Sequence, residues 1–435
     1  MRILPLVALL SLAAPAVAQL SPAERRIGET VTAEAGRHVA LLERLVNQNS
    51  GTLNREGVTA VGAMMRAELE ALGFTVRWID MSETGRAGHI VADHRGNGRG
   101  KRILLIGHLD TVFEPSSPFQ RFTREGNRAT GPGVGDDKGG LVVIVAALRA
   151  MQAAGTLRDA DIRIVLTGDE ERPGAPVAVA RRDLVEAGRW ADVALEFENL
   201  ASDNGVDYGT IARRSSTSWT LRTGGRSGHS SGIFGDTLGY GAIYEMARIL
   251  DAFRRELPEP NLTYNVGVVG GGTPAAIDAQ GLTVTASGKT NIVAEAAVAR
   301  GDLRTLTREQ DARVRERMQA IVAQHLPRTE ATLTFAEDGY PPMAPTEGNR
   351  AVLAGLNRVN RDLDLPEMPE YDPARRGAAD SGFVAGDVDT LAGLGASGGG
   401  AHAEGEYVEL DSLTRSASRM AVFMTRLSRE RRAGR

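Results

Sequence analysis

Short apolar runs of strand length alternate with helical patterns along most of this chain, and this alternation constrains its fold more than any other feature. Runs suited to buried strands occur at 102–106, 162–166 and 193–197, and an apolar helical pattern occupies 139–154. Because strands that alternate with helices pair in the same direction, the pattern predicts an α/β domain with a mostly parallel sheet.

A second pattern interrupts the first near Arg213. The interruption is predicted to contain, in order, a strand, a helix, two strands, a helix and a strand, at 215–223, 238–253, 263–269, 296–303, 308–325 and 331–335. This β-α-β-β-α-β order is typical of an open-faced, ferredoxin-like α+β sandwich. We therefore predict a catalytic domain in two parts, 19–212 and 339–435, with an inserted domain at 213–338.

The first residues have the pattern of a signal peptide. Arg2 supplies a positive charge, an apolar run follows at 3–14, and Ala16-Val17-Ala18 forms an A-x-A cleavage site. The apolar run is shorter than the roughly 20 residues that a membrane-spanning helix needs. We expect residues 1–18 to be removed and the mature protein to be periplasmic or secreted, without stable membrane insertion after cleavage.

The composition limits the kinds of site that the chain can build. Its 435 residues suggest two domains, and its formal net charge of -4 provides no overall basic field for a nucleic-acid partner. The absence of cysteine excludes disulfides and thiolate metal sites. Any bound metal must therefore be held by histidine, aspartate or glutamate.

Histidine and acidic residues follow the predicted buried strands, at the sheet edge where α/β proteins bind ligands. His108 and Asp110 lie two positions apart after the first strand, so that His108 can bind a metal while Asp110 accepts its other ring N–H. Such a pair also arises by chance. Asp136 lies in the glycine-rich segment 131–140, which lacks the G-K-[ST] of a P-loop and could also be a plain turn.

Three further segments carry candidate ligands. Glu170 and Glu171 follow the strand at 162–166, where they could form a solvated acidic turn or supply one metal ligand and one general base. Glu196 and Glu198 interrupt an apolar strand, which is costly unless the carboxylates are paired or bind metal. His402 lies among glycines, where it can be a ligand or an ordinary loop residue.

Taken together and in this order, these segments resemble the M20 family of metallopeptidases, especially its glutamate-carboxypeptidase-like branch, over nearly the whole mature chain. The resemblance implies that His108, Asp136 and Glu198 hold one metal ion. It implies that Asp136 also bridges to a second ion held by Glu171 and His402. Glu170 would be the free general base and Asp110 would orient His108. Glu196 remains the alternative to Glu198, and a cis peptide bond is expected after Asp136.

The implied ligand set of imidazoles and carboxylates suits two divalent ions. Zinc is the expected metal, and cobalt or manganese would also be accepted. Two such ions can lower the pKa of a shared water toward about 7 and polarise a carbonyl group. Glu170 would then accept the proton of that water and pass it to the leaving amine.

The resemblance also assigns residues of the inserted domain and a late glycine segment to the substrate. His229 would stabilise an oxyanion, across a dimer interface or after domain closure. Asn291 and Arg304 would contact the substrate, Arg304 by clamping its carboxylate. Backbone N–H groups of Gly398, Gly399 and Gly400 would bind the same end.

Two positions depart from the family pattern. Ala294 stands where a proline is usual, and the Tyr340-Pro341-Pro342 segment stands where glutamate-releasing relatives have a basic residue. We therefore expect a pocket for an apolar or aromatic side chain rather than for glutamate.

The predicted function is two-metal hydrolysis of the amide bond in peptides or N-acyl amino acids, with release of a C-terminal amino acid. The alternatives are a deacetylase or desuccinylase of an amino-acid pathway, and an inactive binding protein of the same fold. Relatives include dimers and monomers, so a homodimer through the inserted domain stays open.

Overall fold

The computed structural model describes residues 20–432. The predicted signal peptide at 1–18 lies outside these residues. Among the described residues, no helix combines the length and the apolar character that crossing a membrane requires.

Three helices precede the first strand: Pro22–Ala33, Ala35–Asn47 and Arg55–Glu70. The start of the first helix is fixed by its sequence, because Ser21 and Glu24 form a reciprocal capping box and Pro22 occupies the first turn. The third helix is capped by the Asn54 side chain, which accepts a hydrogen bond from the backbone N–H of Gly57 at 3.1 Å.

A six-stranded sheet forms the centre of the larger domain. Its strands, in spatial order, are Thr75–Asp80, Gly88–His94, Asp161–Thr167, Arg102–His108, Val193–Glu196 and Thr390–Leu391. The last four run parallel and the first two pair antiparallel at one edge. The predicted α/β fold with a mostly parallel sheet is therefore confirmed.

Helices cover both faces of this sheet, which explains why its central strands are continuously apolar. In Arg102–His108, Ile103 and Leu105 pack into one buried core, while Leu104 and Ile106 pack into another. The first core contains the helices Lys138–Ala153 and Leu410–Leu427 as well as the three N-terminal helices, and the second contains Arg182–Trp190. Because its sides are nearly all buried, the alanine-rich helix Lys138–Ala153 has little amphipathic character.

The small domain is a four-stranded antiparallel sheet in the order Thr263–Gly272, Ala296–Arg304, Thr217–Gly225 and Thr329–Phe335. The helices Ala242–Glu256 and Arg308–Val322 enclose its core with Trp219 and Phe253. This is the predicted ferredoxin-like arrangement, to which the hairpin Ala275–Ile277 and Val284–Ala286 is added. The helix predicted from 238 begins at Ala242, because Gly239 and Gly241 have positive φ values of 66° and 74° and Leu238 and Tyr240 lie in the preceding turn.

After the small domain, the chain re-enters the large domain and forms the helix Glu347–Asp362. The large domain also contains a second, antiparallel sheet of four short strands. This sheet contains Gly398–Gly399, Tyr407–Glu409, Arg128–Thr130 and Thr123–Glu125. Its pairing places Tyr407–Glu409 between Gly398–Gly399 and Arg128–Thr130, which leads into the glycine-rich segment 131–140. The short helices Val177–Ala180 and Ser381–Val384 and the hairpin Ser202–Asp203 and Val206–Asp207 complete the structure around the large sheet.

Candidate metal centre

Three neighbouring parallel strands bring candidate ligands to one edge of the large sheet. His108 ends the strand Arg102–His108, Glu170 and Glu171 follow the strand Asp161–Thr167, and Glu198 follows Val193–Glu196. Because these strands lie side by side and point the same way, their carboxyl ends meet. The position expected from the sequence is therefore the position observed.

Asp136 lies between two histidines. Its Oδ1 atom is 2.9 Å from Nε2 of His108, and its Oδ2 atom is 3.3 Å from Nε2 of His402. Nε2 of His402 is also 3.0 Å from Oε2 of Glu171. A carboxylate with one oxygen toward each imidazole has the arrangement that a bridging ligand requires.

Two sets of ligand atoms are close enough to share an ion. His108, Asp136 and Glu171 form one set, and His108, Glu170 and Glu198 form the other, with the atoms of each set within 4.8 Å of one another. With His402 beside Asp136 and Glu171, the five predicted ligands and the predicted base lie in one cluster. The two sets differ from the predicted ones, because Glu170 belongs to one of them and His402 to neither.

The donor set fits divalent metal ions. Oε1 of Glu171 is buried and has no hydrogen-bond partner among residues 20–432, so a cation would satisfy an oxygen that the protein leaves unpaired. Four carboxylates gathered beside two imidazoles repel one another unless positive charge is added. Oxygen and nitrogen donors without sulfur suit zinc, manganese or cobalt.

Burial dominates the electrostatics of the carboxylates. Burial raises the pKa of Glu170 well above its ordinary value, and the nearby charge of Glu198 adds to this effect. Burial likewise raises the pKa of Glu198 to about 7, although the positive charge of Arg213 opposes it. Burial also acts to raise the pKa of Asp136, but the hydrogen bonds from His108 and His402 outweigh it and hold that pKa low.

The pKa of His402 is determined mainly by its hydrogen bonds rather than by burial. Its hydrogen bonds with Asp136 and Glu171 raise its pKa to about 10. Its backbone lies in the left-handed region with φ 64°, and its side chain is 56% exposed. The imidazole therefore reaches the cluster from the solvent side, whereas His108 reaches it from the interior.

Asp110 organises more of the site than the sequence predicts. Nδ1 of His108 lies 3.1 Å from the Asp110 backbone carbonyl and 3.3 Å from its Oδ1, so the predicted orienting role stays a prediction that this contact supports. The two carboxylate oxygens of Asp110 also accept hydrogen bonds from the backbone N–H groups of Glu170 at 3.0 Å and Glu171 at 3.1 Å. The Thr52 hydroxyl donates a further bond at 2.6 Å. Asp110 therefore fixes both a histidine and the acidic turn.

The glycine-rich loop around Asp136 is held by a residue to which sequence reasoning assigned no role. The Glu406 carboxylate accepts hydrogen bonds from the backbone N–H groups of Gly133, Gly135 and Asp136, at 2.8–3.0 Å. Burial raises the pKa of Glu406 to about 7. The peptide bond between Asp136 and Asp137 is cis, as expected. Glu406 was visible in the motif around His402, but nothing in the sequence linked it to a loop so far away.

The geometry favours Glu198 over Glu196 as the ligand. Glu198 shares an atom set with His108, whereas Oε1 of Glu196 accepts a hydrogen bond from the backbone N–H of Ser381 at 2.7 Å. One nitrogen of Arg213 contacts both acids, at 2.5 Å from Glu198 and 2.9 Å from Glu196. Arg213 is a second residue to which sequence reasoning gave no function.

A buried ionic network lies directly behind the acidic turn. Arg181 is 2.6 Å from Asp169 and 2.6 Å from Asp380, and it also donates to the Tyr340 hydroxyl at 2.8 Å. The Tyr340 hydroxyl in turn donates to the backbone carbonyl of Glu170 at 2.5 Å. Tyr340 is thus engaged in supporting the turn, and the predicted preference of the pocket for apolar side chains stays a prediction.

The predicted substrate residues of the small domain are not in contact with the cluster. Nδ1 of His229 lies 2.8 Å from the Ser231 hydroxyl, and the Asn291 carbonyl accepts from the backbone N–H of Ser230 at 2.9 Å. Arg304 forms an ion pair with Asp302 at 2.9 Å instead of facing the metal ligands. Within residues 20–432, no hydrogen bond or ion pair joins His229, Asn291 or Arg304 to Asp136.

The late glycines lie nearer the cluster. Gly398 and Gly399 pair with Val408 and Tyr407, and Gly400 has φ 73° in the turn that leads to His402. The segment is followed within two residues by His402, which contacts Asp136 and Glu171. Their binding of substrate stays a prediction.

Comparison with known proteins agrees with this geometry. The family model of peptidase family M20/M25/M40 matches residues 104–426. Carboxypeptidase G2 from Pseudomonas sp. (strain RS-16) is 36% identical over 193 residues, which cover 42% of this chain and 43% of the relative. A succinyl-diaminopimelate desuccinylase from Leptothrix cholodnii is 29% identical over 200 residues, covering 44% of this chain and 51% of the relative. The chain thus spans about half the length of these relatives.

Solved structures share the fold at low sequence identity. Aminopeptidase PepT from Bacillus cereus has a TM-score of 0.70 and 19% identity, with 90% of this chain and 98% of that chain covered. A dinuclear metal-binding peptidase of the M20 family from Bacillus subtilis has a TM-score of 0.63 and 14% identity, with 91% and 99% covered. At these identities the similarity establishes the fold.

Proposed function

This chain belongs to peptidase family M20/M25/M40, and on that premise we propose that it is a two-metal hydrolase of peptides or N-acyl amino acids. The bond cleaved would be the amide bond next to a free carboxylate, and the product would be a C-terminal amino acid. The observation that carries the proposal is the position of Asp136 between His108 and His402, with Glu170 beside them.

Two divalent ions would be held by the chain's own imidazoles and carboxylates. His108, Asp136 and Glu198 would hold one ion, and Asp136, Glu171 and His402 would hold the other. When bound, such ions polarise a carbonyl group and make water more acidic. We propose zinc as the native metal, with cobalt or manganese as substitutes.

Glu170 would be the group that moves the proton. Its carboxylate lies in the same cluster as His108 and Glu198 but is not needed to complete either proposed ligand set. It would accept a proton from the attacking water and deliver it to the nitrogen of the leaving amine. Asp110 supports this role because it holds the backbone N–H groups of both Glu170 and Glu171.

The small domain would complete the site by closing over it. In that closed form His229 would stabilise the oxyanion, and Asn291, Arg304 and the backbone of Gly398, Gly399 and Gly400 would bind the substrate. Arg304 would exchange its ion pair with Asp302 for the substrate carboxylate. Tyr340-Pro341-Pro342 would favour an apolar or aromatic side chain over glutamate.

A second candidate function is removal of a succinyl or acetyl group in an amino-acid pathway. The similarity to a succinyl-diaminopimelate desuccinylase favours it. We prefer the first function because the sequence predicts export, whereas biosynthetic steps of that kind occur in the cytosol. An inactive binding protein is disfavoured because the chain retains every proposed ligand and Glu170.

We further propose that the inserted domain can form a homodimer. Large apolar side chains are exposed on this domain, namely Phe234, Ile243, Tyr244, Val266, Val269 and Leu282. Val266 and Val269 lie on Thr263–Gly272, an edge strand whose free backbone groups can pair with a second copy. No nucleic acid is proposed as a partner. The mature protein would be periplasmic or secreted.

A substrate panel tests the proposed function. Purified protein loaded with zinc would be assayed against dipeptides, N-acetyl, N-succinyl and N-aroyl amino acids, with and without a chelator. We expect chelator-sensitive release of a free amino acid, fastest for substrates with an apolar or aromatic C-terminal residue. Exclusive cleavage of N-succinyl substrates would select the second function, and a glutamate preference would refute the proposed pocket.

A further inference from the structure

The two chain segments that join the small domain to the large one are hydrogen-bonded to each other. Arg213 and Met343 exchange backbone hydrogen bonds of 2.9 Å and 3.0 Å, and Ser216 and Tyr340 exchange bonds of 3.0 Å and 2.8 Å. We call segments 213–216 and 340–343 the connecting ladder. Because both domain connections run through this ladder, a change in domain orientation must bend or shift it.

One side chain of the connecting ladder, that of Arg213, contacts the proposed metal ligand Glu198. Arg213 is buried, and its guanidinium lies 2.5 Å from Oε2 of Glu198 and 2.9 Å from Oε2 of Glu196. A further nitrogen donates to the carbonyl of Gly377 at 3.2 Å. Because the planar guanidinium is held at three points, its one contact with the Glu198 carboxylate has a fixed direction.

In the other segment, the Tyr340 side chain is hydrogen-bonded to the backbone of the proposed base. The Tyr340 hydroxyl donates to the carbonyl of Glu170 at 2.5 Å and accepts from Arg181 at 2.8 Å. Its ring packs edge-on against Phe383, with ring centroids 5.1 Å apart. Since Arg181 is itself fixed by two buried carboxylates, the phenol is anchored on the large-domain side.

We propose that Arg213 and Tyr340 are positioning residues through which the connecting ladder sets the geometry of Glu198 and Glu170. The roles of those two glutamates rest on the proposed function. Each of the two connections thus carries one residue that contacts a different component of the cluster. Movement of the small domain would consequently change the positions of a proposed metal ligand and of the proposed base together.

Tyr340→Phe tests the contact with Glu170, because it removes the hydroxyl and keeps the ring. Tyr264→Phe is the matched control, since the Tyr264 hydroxyl also donates to a backbone carbonyl, that of Phe253 at 2.8 Å, within the small domain. In the zinc-loaded protein we expect amide hydrogen exchange of segment 168–174 to rise roughly fivefold in Tyr340→Phe, as loss of one hydrogen bond implies. An exchange rate equal to that of the control would overturn the proposal.

The steady-state constants provide a second readout for this pair. With the fastest substrate of the panel, we expect kcat of Tyr340→Phe to fall about 10- to 100-fold with KM little changed, as for a misplaced catalytic group. Tyr264→Phe should retain both constants. An increase in KM at constant kcat would contradict a positioning role.

Arg213→Met and Arg213→Lys test the contact with Glu198 through binding of zinc alone. We expect Arg213→Met to weaken binding of one zinc ion about 10- to 100-fold, and Arg213→Lys to recover part of that loss. Arg419→Lys is the matched control, because Arg419 is also a buried arginine bound to a carboxylate, that of Asp207. Unchanged or tighter zinc binding in Arg213→Met would overturn the positioning role of Arg213.

These readouts separate the inference from the proposed function. If the wild-type protein binds two zinc ions but hydrolyses nothing in the panel, the proposed function fails. The exchange and zinc-binding results still decide whether Arg213 and Tyr340 position the two glutamates.

Discussion

Asp136 and His402 are separated in the sequence by the whole inserted domain, yet Nε2 of His402 lies 3.3 Å from Oδ2 of Asp136. The other oxygen of Asp136 faces His108. The contact therefore joins the two parts of the large domain at a single carboxylate. It can form only when both parts are folded together, which couples the integrity of the domain to that of the metal centre.

Substitution of the proposed base should greatly reduce turnover while the zinc ions stay bound. For Glu170→Gln we expect kcat to fall by roughly 10²- to 10⁴-fold, the usual contribution of a positioned general base. Zinc content measured by mass spectrometry should remain near that of the wild type. Glu186→Gln, a change on the helix Arg182–Trp190, serves as the control. Loss of zinc from Glu170→Gln would instead make Glu170 a ligand.

Removal of one proposed ligand should weaken one ion selectively. His402→Ala leaves His108 and Glu198 intact, so we expect one ion to dissociate readily on dialysis and the other to stay bound. The reason is that only the second proposed set includes His402. Zinc stoichiometry after dialysis measures this directly. Equal loss of both ions would show that the two sets do not bind independently.

The ionic network behind the acidic turn should be essential for stability. Arg181→Met would leave the buried carboxylates of Asp169 and Asp380 without their partner. We expect the free energy of unfolding, measured in urea, to fall by about 3–5 kcal/mol. Arg254→Met is the control, since Arg254 pairs with Asp251 on the surface, where solvent screens the charges, and the change should leave stability nearly unaltered.

A buried histidine far from the metal ligands should make stability depend on pH. Burial, aided by the charges of Arg149 and Arg37, lowers the pKa of His38 from 6.5 to about 4. The unfolded chain therefore binds this proton more readily, and stability falls as the pH drops from about 6.5 to about 4. The loss from this one group is on the order of 3 kcal/mol.

Chemical denaturation across that pH range measures the effect. His38→Leu, which keeps an apolar side chain in the buried position, should show a shallower fall than the wild type. Because other groups titrate in the same range, the difference between the two proteins is the informative quantity. Parallel curves would mean that His38 does not contribute.

Disruption of the exposed edge strand should abolish the proposed dimer. Val269→Asp places a charge on the apolar edge strand Thr263–Gly272, where Val269 is 54% exposed. We expect sedimentation to show a shift from dimer to monomer with an unchanged fold. Thr332→Asp, on the opposite edge strand of the same sheet, should leave the oligomeric state unchanged. A wild-type protein that is monomeric at all concentrations would refute the proposal.

Local sequence patterns were sufficient to predict the main helices and strands and the place of part of the cluster. His108, Glu170 and Glu171 could be located because each follows an apolar run of strand length, and parallel neighbours end at a common edge. The small sheet could be predicted because its strands and helices follow in a simple order. Its first helix starts later than its periodicity suggests, since two glycines with positive φ precede it.

The sequence by itself limited possible metal ligands to histidine, aspartate and glutamate, because the chain lacks cysteine, and its resemblance to the M20 family implied which of those residues would serve. Only the tertiary structure decided how buried groups pair: Glu406 with the loop of Asp136, Arg213 with Glu198, and Tyr340 with Glu170. The physical reason is that a buried polar group must find a partner, but the partner is set by packing of distant segments and leaves no local pattern.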